Sequence, residues 1–148
     1  MNTIRAGVFI GINNYDGAPL RGARPDAEKM SNFFRGKYNY VDEYFDETAT
    51  KENITKYLDG IKLIFEKEDE KQRTGVFVFF FSGHGVDRDG RQCLVLADDC
   101  EIDLEEIESK TRIPGVKRIF ILDCCRVRGH RQDNDWAWEL FTAPFGVA

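Results

Sequence analysis

Three short runs built almost wholly of apolar residues, at 6–12, 76–81 and 119–122, constrain this chain more than any other feature. A strand with one wet face alternates apolar and polar residues, whereas an unbroken apolar run of this length suits a strand covered on both faces. Strands of that kind belong to parallel sheets, whose successive members need a helical crossover. The segments in between supply the helices. Residues 25–34 place Ala27, Met30, Phe33 and Phe34 on one helical face, with Pro25 near the start. A weaker strand follows at 39–45. Thr50 then caps a helix in which Ile54, Leu58, Ile61 and Phe65 recur on one face, and its charged end, 66–73, reads as a solvated helix end and loop. After the second apolar run come a glycine-bearing loop, a short apolar stretch at 93–97 and a short helix capped by Asp103, with Leu104 and Ile107 facing inward. The alternation predicts an α/β three-layer sandwich with a mainly parallel, doubly wound sheet and right-handed crossovers.

The 148 residues suffice for one domain, and 42% hydrophobic content suffices for its core. A net charge of -5 advertises no basic surface, so neither nucleic acid nor anionic lipid is expected as a partner. No apolar run approaches the roughly 20 residues of a membrane span, and the first residues lack the pattern of a signal peptide. The expectation is a soluble, cytoplasmic chain. Its four cysteines, at 93, 100, 124 and 125, fit neither a disulfide scaffold nor a zinc spacing and are expected to be reduced. Residues 129–148 carry two tryptophans but no periodic pattern, and read as an irregular tail behind a domain at 1–128.

In open parallel sheets, sites form beyond the carboxyl ends of the strands. Ser82-Gly83-His84-Gly85 follows the second apolar run, where two glycines allow a tight turn that exposes the imidazole. Asp123-Cys124-Cys125-Arg126 follows the third. A thiol beside an imidazole is a nucleophile with its proton shuttle, suited to acyl transfer. Neighbouring strand residues point to opposite faces, so one of the two cysteines faces His84, and a redox pair between Cys124 and Cys125 is disfavoured by the strain of a vicinal disulfide. His130, the other histidine, reads as an exposed loop residue. For His84 the competing reading is a hydrogen-bonded turn histidine.

Residues 79–85 and 119–126 resemble the two catalytic motifs of the caspase, metacaspase and paracaspase superfamily of cysteine peptidases. Gly11-Ile12-Asn13-Asn14-Tyr15, followed by residues 20–27, is similar to the first strand and following helix of metacaspases. The resemblance implies the large catalytic subunit of a caspase-like fold, with His84 as general acid/base and Cys125 as nucleophile. It also implies an oxyanion hole from the Gly85 and Cys125 amides. Cys124 is then expected as a small packed side chain, and Cys93 and Cys100 as structural residues. Cys125-Arg126-Val127-Arg128 resembles the paracaspase motif more than that of most metacaspases, which leaves the branch open.

Asp26, Ser82 and Asp123 match the substrate-pocket positions of the branches that cleave after basic residues, so cleavage after Arg or Lys is expected. Asp26 also reads as a first-turn helix acid, and Asp123 as a partner of Arg126 or of a loop amide. Arg21 lies near the place where aspartate-specific caspases carry a basic pocket residue, but its spacing to Asp26 fits the metacaspase pattern, which disfavours cleavage after Asp. Some metacaspases need calcium; Asp87, Asp89, Asp98 and Asp99 have the right oxygen chemistry but read as solvated turns, and no metal or other cofactor is expected. The family sheet has six strands, the last supplied by a small subunit, whereas this chain ends 23 residues after Cys125. A separate small-subunit chain, a homodimer or a packed tail is therefore expected to cover the exposed edge. The alternative to a peptidase is a weak or inactive large-subunit-like regulator that pairs with one.

Overall fold

The computed structural model describes residues 3–66 and 74–125, the side chain of Cys125 excepted. The expected loop at 67–73, the tail at 129–148 with its boundary at 128, His130 and the pairing of Asp123 with Arg126 lie outside the described residues. The chain runs through β1 (Thr3–Gly11), α1 (Ala23–Phe34), β2 (Tyr40–Phe45), a 3-10 turn (Asp46–Thr48), α2 (Lys51–Glu66) and β3 (Thr74–Arg88). It continues through β4 (Arg91–Val95), β5 (Glu101–Asp103), α3 (Leu104–Lys110) and β6 (Val116–Cys125). Strands β2, β1, β3 and β6 lie side by side in that order, all parallel. The three apolar runs form β1, β3 and β6, which carry the predicted buried positions.

Alternation along these strands divides the core between the two faces of the sheet. On one face Ile4, Ala6, Val8 and Ile10 of β1 and Phe77, Phe79 and Phe81 of β3 meet Ile54, Leu58, Ile61 and Phe65 of α2, with Leu104 and Ile107 of α3. On the other face Phe9, Val78, Phe80 and Ile121 pack against Ala27, Met30 and Phe34 of α1. The result is the three-layer α/β architecture. Both expected caps form: the Thr50 hydroxyl accepts from the Asn53 amide at 3.2 Å, and the Asp103 carboxylate from the Glu105 amide at 2.9 Å.

Three expectations need correction. Phe33 is 59% exposed, and the buried position on that stretch of α1 belongs to Ser31, whose hydroxyl donates to the Glu28 carbonyl and to the Glu43 carboxylate. The glycine-bearing loop after the second apolar run is instead a hairpin: β3 continues to Arg88 and pairs antiparallel with β4, which pairs with β5. Asp89 and Gly90 connect β3 to β4 with φ of 53° and 83°, the left-handed pair that a two-residue hairpin turn requires. Cys93 is buried in β4 as a structural residue would be, but Cys100 is exposed.

Leu58 is 1% exposed in the larger core cluster, while Leu63 on the same helix is 66% exposed. Leu58→Ala is expected to lower stability by about 2–5 kcal/mol. Leu63→Ala should stay within about 0.5 kcal/mol. Urea unfolding of both variants checks which face of α2 meets the sheet.

Candidate active site

The chain leaves β1 by way of α1 on one face and returns to β3 by way of α2 on the other, so strand order reverses between β1 and β3. Open α/β sheets present a crevice outside the carboxyl ends of the strands at such a reversal. The ladder between β1 and β3 ends at Gly11 and Ser82, and His84 lies two residues further on. There β6 is in register with β3: Ser82 pairs with Asp123, Gly83 with Cys124 and His84 with Cys125. Cys124 is half-buried and packs against the larger core cluster, on the face opposite Phe80 and Ile121.

Residues 82–85 do not make the expected turn. They lie within β3, and neither glycine has a positive φ. What requires glycine is close approach. A Cβ on Gly83 would lie 2.4 Å from the Tyr15 hydroxyl and 2.8 Å from Cζ of Phe81; one on Gly85 would lie 2.8 Å from Nε2 of Gln92 and 3.0 Å from Cβ of Cys124.

His84 is half-buried, with its Nε2 2.6 Å from the Ala18 carbonyl oxygen. A carbonyl only accepts, so the hydrogen bond assigns the proton to Nε2 and, in the neutral ring, leaves the lone pair on Nδ1. Tyr15 holds the other side: its ring centroid lies 4.4 Å from that of the imidazole. Its hydroxyl donates to the Val95 carbonyl at 2.8 Å and accepts from the His84 amide at 3.0 Å. Tyr15, Ala18 and their anchor, Asp46, have no predicted role in the sequence reading. The signal for Tyr15 was an aromatic just past a buried strand, in the Asn13-Asn14-Tyr15 segment.

Asp46 is buried at 3% exposure, at the carboxyl end of β2. Burial alone would raise its carboxyl, but the amides of Asn14 and Asn13 and the Arg24 guanidinium outweigh it and hold the group below its ordinary value. The contacts are 3.0 Å and 2.8 Å to the two amides and 3.1 Å to Arg24.

A cavity of about 390 Å³ opens between α1 and the sheet, lined by Asp26, Lys29, Met30, Phe80, Ile121 and Asp123. Its floor is apolar, and two carboxylates face one ammonium around it. Among the described residues neither Asp26 nor Asp123 forms an ion pair, whereas Asp46, Glu43, Glu101, Asp103 and Asp59 each pair with an Arg or Lys. Ser82 is buried and does not line this cavity. The acidic turns do not gather a calcium donor set among the described residues: Asp87 caps Gly90, and Asp98 accepts from the Cys100 and Lys51 amides.

Gly83→Ala is expected to cost about 1–3 kcal/mol, because the hydroxyl in its way is held at both ends. The cost should shrink when Tyr15 is already Phe, which a double-mutant cycle measures. For Asp46, a depressed carboxyl stabilises the fold above its unfolded value and loses that contribution as pH falls. Asp46→Asn should therefore lower stability by about 1–3 kcal/mol at pH 7, with the gap to the native chain narrowing below about pH 4 in unfolding titrations.

Residues 4–140 match the caspase domain family of peptidases. A crystal structure of protein GSU0716 from Geobacter sulfurreducens shares the fold, with a TM-score of 0.64 and 20% identity over 82% of this chain. The match covers 50% of that protein, so the chain spans half the length of the solved structure. No curated protein has a sequence that matches. No described helix is long and apolar enough to cross a membrane. With the family match extending over nearly all of its length and the three-layer sheet beneath it, the chain belongs to the caspase domain family.

Proposed function

We propose that this domain carries a Cys/His endopeptidase site that hydrolyses peptide bonds after Arg or Lys. The observation that carries the reading is the cavity at Asp26 and Asp123. An apolar floor suits the aliphatic stem of a basic side chain, and two carboxylates without ion pairs among the described residues suit its charged end. Asp123 lies two residues before Cys125 and Ser82 two before His84, a step of about 7 Å along a strand, so pocket and dyad share one pair of strands.

In this reading Cys125 gives its proton to Nδ1 of His84, while Nε2 stays bonded to Ala18. The thiolate attacks the carbonyl carbon after the basic residue, and the Gly85 and Cys125 amides hold the oxyanion. The C–N bond breaks as the imidazolium protonates the leaving amine, and water activated by His84 then cleaves the thioester. The chemistry needs a reduced thiol and hence a compartment such as the cytoplasm. The second reading, a regulator that pairs with a related peptidase or with itself, rests on β6, whose outer edge no described strand covers.

Short fluorogenic peptides ending in Arg, Lys or Asp, offered to the full chain with and without calcium, test the proposal. Arg and Lys peptides should be cut, Cys125→Ala should abolish the activity and Cys124→Ala should retain it. Asp123→Asn should raise KM for Arg peptides by about tenfold or more, since it removes one partner of a charged pair. Preference for Asp, or activity surviving Cys125→Ala, would overturn the assignment. No cleavage together with self-association in light scattering supports the regulator.

A further inference from the structure

We infer that Asp46 is a positioning residue for His84, acting across β1 through the loop between β1 and α1, with Tyr15 as the part that touches the histidine. The inference rests on the proposed role of His84 in catalysis. Asp46 stands at the end of β2, two strands from β3, roughly 10 Å away at the usual strand spacing. It is a buried carboxylate in a left-handed conformation, φ 48°, and both features cost free energy unless the surroundings satisfy them. The surroundings do so with three donors: the Asn13 amide, the Asn14 amide and Arg24.

The consequence travels through Asn13. Its carbonyl accepts from the amides of Tyr15 and Leu20, at 3.2 Å and 2.8 Å. Its side chain accepts from the Arg24 amide at 3.1 Å and donates to the Arg21 carbonyl at 3.2 Å. One residue thereby ties together both ends of the segment 15–20, and Asp46 fixes the backbone of that residue. Within the tied segment lie two groups that, among the described residues, reach His84 from outside the sheet. Tyr15 accepts from its amide and packs on its ring, and the Ala18 carbonyl holds Nε2. Moving the loop therefore moves both the ring and the proton on it. Gly83 shows how tightly the arm is seated, since no Cβ fits beneath the Tyr15 hydroxyl.

The test uses the full chain labelled with ¹⁵N at its histidines, together with steady-state cleavage of an Arg peptide. The native protein should show His84 as the single Nε2–H tautomer. Tyr15→Phe, which keeps the ring, and Asp46→Ala should mix the two tautomers at His84 and leave the His130 signals unchanged. Both should lower kcat by about ten- to a hundredfold, the cost of a displaced catalytic group, with little change in KM. Asp46→Asn, which keeps the acceptor for the two amides, should restore part of the loss. A folded Tyr15→Phe or Asp46→Ala protein whose His84 tautomer and kcat match the native chain overturns the inference and leaves the peptidase reading standing. If the native chain cleaves nothing, the tautomer signature alone decides: mixing in the variants supports positioning, and an unchanged tautomer overturns it.

Discussion

Strand β3 has to remain dry on both faces and then deliver a polar side chain into solvent, and the rest of the molecule is arranged around that demand. Phe77, Phe79 and Phe81 need a cover on one side, Val78 and Phe80 on the other. A sheet meets both needs only when helices lie on its two faces, which places α1 opposite α2 and α3. That division goes with the reversal of strand order beside β1, and His84 lies two residues past the end of the ladder at that reversal. Fold and site thus follow from the burial of one strand.

The parts of the fold legible in the sequence were those written in side-chain chemistry. Apolar runs marked β1, β3 and β6, and the Asp103 and Thr50 caps marked two helix starts. The hairpin of β4 was missed: its turn sits at Asp89-Gly90, a two-residue turn pair, whereas the glycines at 83 and 85 suggested an earlier turn and a loop. Their purpose is different: both make room for neighbouring side chains, which only the packed structure displays. Phe33 misled for a related reason. Helical periodicity puts it beside Phe34, yet the covered strip at that point runs through Ser31, whose hydroxyl is satisfied by the Glu28 carbonyl and the Glu43 carboxylate.

For the candidate site, periodicity pointed to the strand ends, and the family resemblance pointed to particular residues on them. Neither points to the contacts that orient His84. A carbonyl such as that of Ala18 carries no sequence identity, so any residue type there supplies it. Asp46 looks like one acid among the 26 acidic residues of the chain until its three donors are seen. Groups that act through the backbone are silent in a single sequence.

The distribution of charge separates the acids that hold the structure from the pair at the cavity. Asp46 pairs with Arg24 and Glu43 with Arg35, and Glu101 and Asp103 of β5 bind Arg88 of β3 and Arg91 of β4. Asp26 and Asp123 are exposed and form no ion pair among the described residues. Lys29 offsets one of the two charges around the cavity and leaves a net negative site beside an apolar floor. A single guanidinium or ammonium on an extended peptide is the complement of that arrangement. A carboxylate in its place would meet repulsion at close range, so under the proposed specificity the discrimination between the two would arise from that repulsion as much as from attraction.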